Sequence, residues 1–185
     1  MDKKAALITG ANKSIGFETA RQLGRRGYHI WLGCRDVARG EEGARALSAE
    51  GIDVKPISID VTDDASVIQA AALVEAETGR LDVLINNAGI LGEMVAPSEQ
   101  SVADVRNIYE TNVFGPIRVT QAFLPLLRNA GTANVIMVSS GLGSLGWLSD
   151  PDNEFYGVNF LGYNSSKSAL NAVTVALSKD LRGQG

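Results

Sequence analysis

The chain has 185 residues, of which 45% are hydrophobic and 6% aromatic, and this length and composition predict one domain with an aliphatic core. Its 17 basic and 21 acidic residues give a net charge of −4 and are interspersed, so no basic stripe is present to bind nucleic acid. The single cysteine, Cys34, and the single histidine, His29, argue against a disulfide framework, a zinc cluster and a Ser-His-Asp triad.

No apolar run approaches the roughly 18 residues that a membrane-spanning helix needs. The segment after Met1 contains only five residues of an apolar run before Gly10 interrupts it, which is too short for a signal peptide. No linker or internal repeat divides the sequence. We therefore expect a cytoplasmic protein in which residues 1–185 form a single domain.

Short apolar runs rich in β-branched residues alternate with longer segments of helical periodicity. Strands are predicted at residues 5–9, 29–34, 54–59, 83–85 and 135–138. Helices are predicted at residues 15–26, 39–50 and 63–78, as a pair across 101–128, and at 163–181. The strands are apolar on both faces, so the alternation predicts a doubly wound parallel sheet of the Rossmann-like, three-layer α/β/α class. Ligands of such sheets bind at the carboxyl ends of the strands.

A glycine-containing turn follows the first predicted strand and opens a helix. It runs Thr9-Gly10-Ala11-Asn12-Lys13-Ser14-Ile15-Gly16. The amides and the dipole at a helix start favour a bound anion. The glycine spacing differs from the G-x-G-x-x-G pattern, so a phosphate site and a purely structural turn both stay open at this point.

A tyrosine and a lysine lie four residues apart at the start of the last predicted helix. Tyr163 and Lys167 therefore share one face of that helix. An ammonium group near a phenol favours loss of the phenol's proton, which suits Tyr163 to donate a proton to a carbonyl as hydride arrives. The alternative is an exposed pair without a chemical role.

Five motifs, in this order, resemble the short-chain dehydrogenase/reductase family, and the resemblance covers the whole chain. They are the glycine turn, Asn86-Asn87-Ala88-Gly89 after the fourth strand, Asn112 between two helices, Ser139-Ser140 after the fifth strand, and the Tyr163/Lys167 pair. Residues 34–40 and 111–115 look most similar to the carbonyl reductase branch. The resemblance implies an NADPH-dependent reductase of ketones or aldehydes.

The resemblance assigns catalytic roles to four residues. Tyr163 would donate the proton, Lys167 would bind the cofactor ribose and tune Tyr163, and Ser140 would hydrogen-bond the carbonyl oxygen. Asn112 would hold, through its backbone, a water that relays protons to the lysine, or it is merely a helix cap. Ser139 is the rival for the serine, but only Ser140 is followed by two residues and then glycine, as in the family.

The resemblance also implies NADP(H) as the cofactor. At the end of the second strand, where an NAD-specific member has an acid, this chain has Cys34 and then Arg35, and an arginine there accommodates a 2′-phosphate. Asp36 is expected to cap the next helix, and Arg39 either binds the phosphate or is a solvated surface charge. The residues expected to contact the cofactor are Gly10, Asn12, Lys13, Ser14, Ile15, Gly16, Arg35, Arg39, Asp60, Val61, Asn87, Ala88, Gly89, Tyr163 and Lys167.

Two departures from the family pattern affect these expectations. Ser14 stands where the family has glycine, so the backbone there either avoids positive φ or is mildly strained. The sequence stops at Gly185, whereas relatives continue with a further strand, a Pro-Gly-containing loop and a substrate lid. We therefore expect the polypeptide to extend past Gly185 or, if it does not, to be a poor catalyst.

The segment between the serines and the tyrosine, residues 141–162, is rich in apolar side chains. It carries Trp147, Leu148, Phe155, Tyr156 and Phe160. Either it packs on its own domain, or it walls a pocket for an apolar or aromatic substrate. Helices 113–128 and 163–181 correspond to the common dimer surface of relatives. A homodimer or homotetramer is therefore expected unless the segment before the tyrosine covers that surface.

Two other functions are alternatives to the reductase. A catalytically idle NADP-binding scaffold or sensor is the main alternative. The complete Tyr/Lys/Ser/Asn set argues against it, whereas the missing C-terminal part of the family's fold argues for it. A methyltransferase on a similar sheet leaves Tyr163 and Lys167 unexplained.

Overall fold

The computed structural model describes residues 3–183, so the expectations that concern Met1 and Gly185 lie outside the described residues. The strands are β1 (Ala5–Ile8), β2 (His29–Cys34), β3 (Val54–Ser58), β4 (Val83–Asn86) and β5 (Asn134–Met137). The helices are α1 (Ser14–Arg25), α2 (Val37–Ala49), α3 (Asp64–Thr78), α4 (Val102–Tyr109), α5 (Gly115–Asn129), α6 (Leu145–Ser149) and α7 (Leu161–Asp180). A π-helix spans Glu110–Phe114 and a 3-10 turn spans Gly141–Gly143.

The strands form one sheet in the order β3-β2-β1-β4-β5. β1 pairs in parallel with both β2 and β4, and β2 pairs in parallel with β3. The chain therefore winds outward from β1 in one direction and from β4 in the other, which is the doubly wound arrangement. The predicted fold class is confirmed, and the predicted strand ends differ from the observed ones by at most one residue.

Alternating side chains of the central strands cover the two faces of the sheet. Leu7 is in register with both Trp31 and Leu84, and all three are fully buried. They belong to a core that includes Val67, Ala70 and Val74 of α3 and Val119, Phe123, Leu126 and Leu127 of α5. On the opposite face, Leu32 packs near Gly43 of α2. Helices thus flank both faces.

The two outer strands correct one sequence expectation, since they are not apolar on both faces. In β3, Lys55 and Ser58 are exposed. In β5, Ile136 is 45% exposed. Each of these strands lies at one side of the sheet, so helices and neighbouring strands cover it less completely than β1, β2 and β4.

Short polar side chains set the starts of several helices. Asp36 accepts a hydrogen bond from the amide of Arg39 at 3.1 Å and so caps α2, as the sequence predicts. Asp63 and Ser101 cap α3 and α4 in the same way. None of the helices between residues 3 and 183 is both long and apolar enough to cross a membrane.

The chain forms two compact units. The first, called the sheet unit, contains residues up to Ala88 together with Arg118–Ile136. The second, called the helical unit, contains Gly89–Ile117 and Met137–Arg182, and it includes α4, the π-helix, α6 and α7. The single domain over residues 1–185 stays a prediction.

Candidate active site

Hydrogen bonds join the carboxyl ends of β1 and β4 in the sheet unit. The hydroxyl oxygen of Thr9 accepts the amides of Asn87 and Ala88, each at 3.0 Å. The side-chain amide of Asn87 donates to the carbonyl oxygens of Thr9 at 2.8 Å and Gly10 at 3.2 Å. The winding direction of the sheet reverses between these two strands, and nucleotides bind at that position in doubly wound sheets.

The glycines of the turn after β1 are required by close approaches. Gly10 has a φ of +63°, and a Cβ there would lie 3.0 Å from the Cα of Ala88. A Cβ on Gly16 would lie 2.5 Å from the side-chain nitrogen of Asn87 and 2.8 Å from the carbonyl oxygen of Gly10. The glycines therefore let the turn and the start of α1 pack directly on the segment after β4, a close packing that is typical of turns that hold a pyrophosphate.

The start of α1 adds an uncovered helix end to this turn. Lys13, at the N-cap, makes no side-chain cap, while Ser14 and Ile15 are exposed and Asn12 is half-buried. The first amides of a helix lack partners within it, so they suit an anion. Ser14 has a φ of +51° and is the one non-glycine residue with positive φ between residues 3 and 183. Of the two sequence alternatives for Ser14, the structure shows the strained one.

Two exposed arginines follow β2. The Arg35 side chain is 77% exposed, and its guanidinium lies 3.9 Å from a carboxylate oxygen of Asp60. The Arg39 side chain is 67% exposed and lies 3.5 Å from Asp36. The guanidinium groups of Arg35 and Arg39 are therefore held only by loose surface pairs, which leaves them able to bind a phosphate. Cys34, which precedes them, is buried, and burial raises the pKa of its thiol.

Asp60 and Val61, after β3, differ in exposure. One carboxylate oxygen of Asp60 accepts from the amide and the hydroxyl of Thr62 at 3.0 and 2.7 Å, which fixes the loop. Asp60 is half-buried, whereas Val61 belongs to the core of the sheet unit. Arg118 also donates to the carbonyl oxygen of Val61 at 2.7 Å. Asp60 is thus the more accessible of the two for an adenine.

In the helical unit, Lys167 is buried beside Tyr163. The ammonium nitrogen lies 5.7 Å from the centre of the tyrosine ring and donates to the carbonyl oxygen of Val138 at 2.8 Å. Lys167 is 5% exposed, and burial lowers its pKa. The alternative of an exposed Tyr/Lys pair is therefore wrong for the lysine, since a solvated surface charge would not be buried.

The two serines after β5 have different partners. The Ser139 hydroxyl donates to the side-chain oxygen of Asn171 at 2.6 Å, so it is tied to a side chain of α7. The Ser140 hydroxyl accepts from the amide of Leu142 at 3.2 Å and keeps its own proton to donate. This difference favours Ser140 as the residue that contacts a substrate oxygen.

The 3-10 turn after Ser140 packs directly on α7. A Cβ on Gly143 would lie 2.8–2.9 Å from the carbonyl group and Cβ of Lys167. The carbonyl oxygen of Gly143 also accepts from the Ser168 hydroxyl at 3.0 Å. Because glycine permits this approach, the segment that carries Ser140 lies close to the turn of α7 that carries Lys167.

Asn112 lies inside the π-helix and is fully buried. Its side-chain oxygen accepts from the amide of Ile90 at 2.8 Å, and its nitrogen donates to the carbonyl of Ile90 at 2.9 Å and to the hydroxyl of Ser166 at 3.0 Å. The alternative that Asn112 caps a helix is wrong. A Cβ on Gly89 would lie 3.3 Å from Asn112 and 3.7 Å from the Lys167 nitrogen, so Gly89 approaches both residues.

Sequence reasoning missed two polar residues of this cluster. Ser166 donates to the carbonyl oxygen of Tyr163 at 2.7 Å and so links Asn112 to the turn that carries the tyrosine. Asn171 holds Ser139. Asn171 lies four residues after Lys167, a helical spacing that places both on one face of α7, and this spacing is the signal that could have identified it.

The helical unit therefore holds the phenol of Tyr163 beside the buried ammonium of Lys167. The segment that carries the Ser140 hydroxyl packs on the same part of α7. Such a set can donate a proton to a carbonyl oxygen and hydrogen-bond the same oxygen. The sheet unit holds the glycine turn after β1, the uncovered start of α1 and the exposed side chains of Arg35 and Arg39. These features together can bind a dinucleotide.

Comparison with known proteins agrees with a chain that carries both a dinucleotide-binding sheet and groups for proton donation. The family model for short chain dehydrogenases matches residues 4–185. The short-chain dehydrogenase anuI of Penicillium roqueforti (strain FM164) is 38% identical over 188 residues, covering 96% of this chain and 74% of the relative. The structure of NADPH-bound carbonyl reductase from chicken fatty liver has a TM-score of 0.88 at 31% identity, covering 100% of this chain and 77% of that one.

A further solved structure holds the other nicotinamide cofactor. It is a short-chain dehydrogenase/reductase from Burkholderia phymatum in complex with NAD, with a TM-score of 0.86 at 29% identity, covering 100% of this chain and 62% of that one. Fold and matches together define an oxidoreductase with a Rossmann-like sheet. The chain belongs to the short-chain dehydrogenase/reductase family, and the predicted resemblance to this family is confirmed.

Proposed function

We propose that this protein reduces a ketone or an aldehyde to an alcohol with NADPH. The observation that carries the proposal is the buried ammonium of Lys167 beside the ring of Tyr163. A lysine is seldom buried without a strong reason, because removing its charge from water is costly. A catalytically idle scaffold could use the lysine to bind a cofactor, but it gives no reason for a phenol beside the buried ammonium.

Each residue of the helical unit has a defined task in this reaction. Bound NADPH would supply the hydride. Tyr163 donates a proton to the carbonyl oxygen, and the Ser140 hydroxyl hydrogen-bonds the same oxygen as negative charge develops on it. Lys167 binds the cofactor ribose, and its charge favours loss of the tyrosine proton. Asn112, through its backbone in the π-helix, holds a water that returns protons to the lysine.

The sheet unit would bind the dinucleotide. The turn from Gly10 to Gly16 holds the pyrophosphate, Asp60 accepts from the adenine, and Asn87 with Ala88 passes over the ribose. Lys13, Arg35 and Arg39 bind the 2′-phosphate, which distinguishes NADPH from NADH. Support for this choice comes from the exposed, loosely paired arginines after β2 and from the NADPH bound by the similar carbonyl reductase.

The substrate proposed for this site is apolar or aromatic. Trp147 and Phe155 stack with ring centres 5.7 Å apart and planes at 23°. A Cβ on Gly141 would lie 2.9 Å from an atom of each ring, so the pair packs on the residue directly after Ser140. Trp147 remains 49% exposed. A flat apolar surface next to the carbonyl-binding hydroxyl favours a ring on the substrate.

Steady-state turnover tests the proposal. NADPH consumption is measured with an aryl ketone and with a polar ketone of similar size. We expect the aryl ketone to be the better substrate and Trp147→Ala to raise its KM more than that of the polar ketone. Tyr163→Phe should lose about 10²–10⁴-fold in kcat, whereas the matched control Tyr28→Phe, in the sheet unit, should not change it.

Full activity of Tyr163→Phe would contradict the proposed reaction. NADPH binding without turnover of any carbonyl compound would instead support the scaffold. Location in the cytoplasm and assembly as a homodimer or homotetramer stay predictions.

A further inference from the structure

The first turn of α7, which carries Tyr163, has no cap from its neighbours in sequence. Tyr163 is the third residue of this helix. The first amides of a helix have no partners within it, and Phe160 at the N-cap provides no side-chain acceptor. The amide of Gly162 instead donates to the side-chain oxygen of Gln100 at 2.8 Å, across 62 positions of sequence. A residue of another segment therefore caps the turn.

Asp104 sets the orientation of the Gln100 side chain. The amide nitrogen of Gln100 donates to a carboxylate oxygen of Asp104 at 2.6 Å, and a carboxylate can only accept. The Gln100 oxygen must then face Gly162. The same Asp104 oxygen accepts from the amide of Glu93 at 3.0 Å. The hydrogen bonds from Glu93 and then Gln100 lower the pKa of Asp104, so Asp104 is ionised at neutral pH.

Close packing holds this arrangement in place. A Cβ on Gly162 would lie 2.5 Å from the terminal carbon of Ile108 and 3.1 Å from the Gln100 side-chain nitrogen. Ile108 of α4 and Gly162 are both buried. The start of α7 therefore contacts α4 and Gln100 without an intervening side chain, and a shift of Gln100 would be transmitted to the turn next to it.

We propose that Gln100, oriented by Asp104, is a positioning residue for Tyr163. By capping the amide that precedes Tyr163, Gln100 fixes the first turn of α7 and with it the distance between the phenol and Lys167. The inference rests on the proposed role of Tyr163 as proton donor. Because a misplacement of about 1 Å can cost about a hundredfold in rate, the loss of this cap should appear in kcat.

The test uses four variants and one control in the full chain. Gln100→Ala removes the cap, Asp104→Ala frees the Gln100 amide, and Asp104→Asn keeps an acceptor oxygen for it. The double alanine variant tests whether the two residues act through one another. Gln69→Ala, at an exposed position of α3, is the matched control.

We expect Gln100→Ala to lower kcat by about tenfold to a hundredfold while the Kd for NADPH stays within about twofold. Asp104→Ala should lower kcat in the same direction, and the double variant should be no slower than Gln100→Ala, because Asp104 acts through Gln100. Asp104→Asn and Gln69→Ala should stay within about threefold of the unchanged protein. The solvent deuterium isotope effect on kcat should rise in Gln100→Ala, since proton donation becomes slower.

The proposal is overturned if Gln100→Ala keeps the full kcat, if its loss appears equally in NADPH binding, or if the isotope effect does not change. If Gln100→Ala fails to fold, Asp104→Ala carries the test, and a full kcat there overturns the proposal. Tyr163→Phe is measured in parallel. A fully active Tyr163→Phe refutes the proposed function itself, whereas an inactive Tyr163→Phe beside a fully active Gln100→Ala refutes only the positioning role.

Discussion

Ser139 donates its hydroxyl proton to the side-chain oxygen of Asn171 at 2.6 Å, and its neighbour Ser140 keeps a proton to donate. Ser140→Ala should therefore lower kcat by about 10²–10³-fold, the usual loss when one donor to a developing oxyanion is removed. Ser139→Ala should instead lower the free energy of unfolding by about 1 kcal/mol and leave kcat nearly unchanged. Steady-state kinetics and urea unfolding of both variants check this, and a larger loss of kcat in Ser139→Ala would reverse the assignment.

Arg35→Ala should weaken NADPH binding about tenfold to a hundredfold, the loss expected for one charge-assisted phosphate contact. NADH binding should hardly change, since NADH has no 2′-phosphate. The fold should be unaffected because the pair with Asp60, at 3.9 Å, is exposed. Kd values for both cofactors are measured by titration, with Arg45→Ala, at an exposed position of α2, as the control. An equal loss for both cofactors would show that Arg35 does not bind the phosphate.

The titration of Lys167 should make the free energy of unfolding rise with pH. Burial lowers its pKa below the ordinary value of 10.5, so between the two values the unfolded chain binds more protons than the folded one. The free energy of unfolding therefore increases as the pH rises from the lowered pKa of the folded protein to the ordinary value. At pH values below this range the lysine is charged in both states, and the full cost of burying the ammonium destabilises the folded protein. Lys167→Met lacks this contribution. Urea unfolding is measured from pH 7 to 10. The free energy of unfolding of the wild-type protein should rise relative to that of Lys167→Met, and parallel plots of this free energy against pH would refute the argument.

Ser14→Gly should raise the free energy of unfolding by about 0.5–1 kcal/mol, because relief of the left-handed strain exceeds the entropic cost of glycine. Ser14→Ala keeps the positive φ of +51° and should give no gain. Ser98→Gly, in an exposed loop without positive φ, should lower stability slightly. Thermal unfolding of the three variants is the measurement, and an equal gain in Ser14→Ala would show that backbone strain is not the cause.

The central strands and their order of appearance could be predicted from sequence because burial on both faces leaves continuous apolar runs, as in Ala5–Ile8 and His29–Cys34. The outer strand Asn134–Met137 is only partly buried, although three of its four side chains are apolar. Its sequence alone therefore suggested more burial than the structure shows. The π-helix at Glu110–Phe114 has only five residues, too few to show a distinct period. The helix α6 also has only five residues and lies in a glycine-rich segment, so no helical pattern of apolar residues marks it.

The Tyr163/Lys167 pair could be predicted because both residues lie on one helix, where spacing determines the shared face. The residues of other segments that hydrogen-bond to that helix could not be predicted. Gln100 caps α7 across 62 positions and Asn112 reaches Ser166 across 54, and such contacts depend on tertiary packing that no local pattern records. The choice between Ser139 and Ser140 likewise needed the position of Asn171.

Transfer of deuterium tests the proposed reaction most directly. The protein is incubated with an aryl ketone and NADPH that carries deuterium at the transferable position of the nicotinamide, and the alcohol is analysed by mass spectrometry. The proposed reaction predicts one deuterium on the carbinol carbon with the unchanged protein and a rate reduced about 10²–10⁴-fold with Tyr163→Phe. An alcohol without deuterium, or an equal rate of deuterated product from Tyr163→Phe, would contradict it.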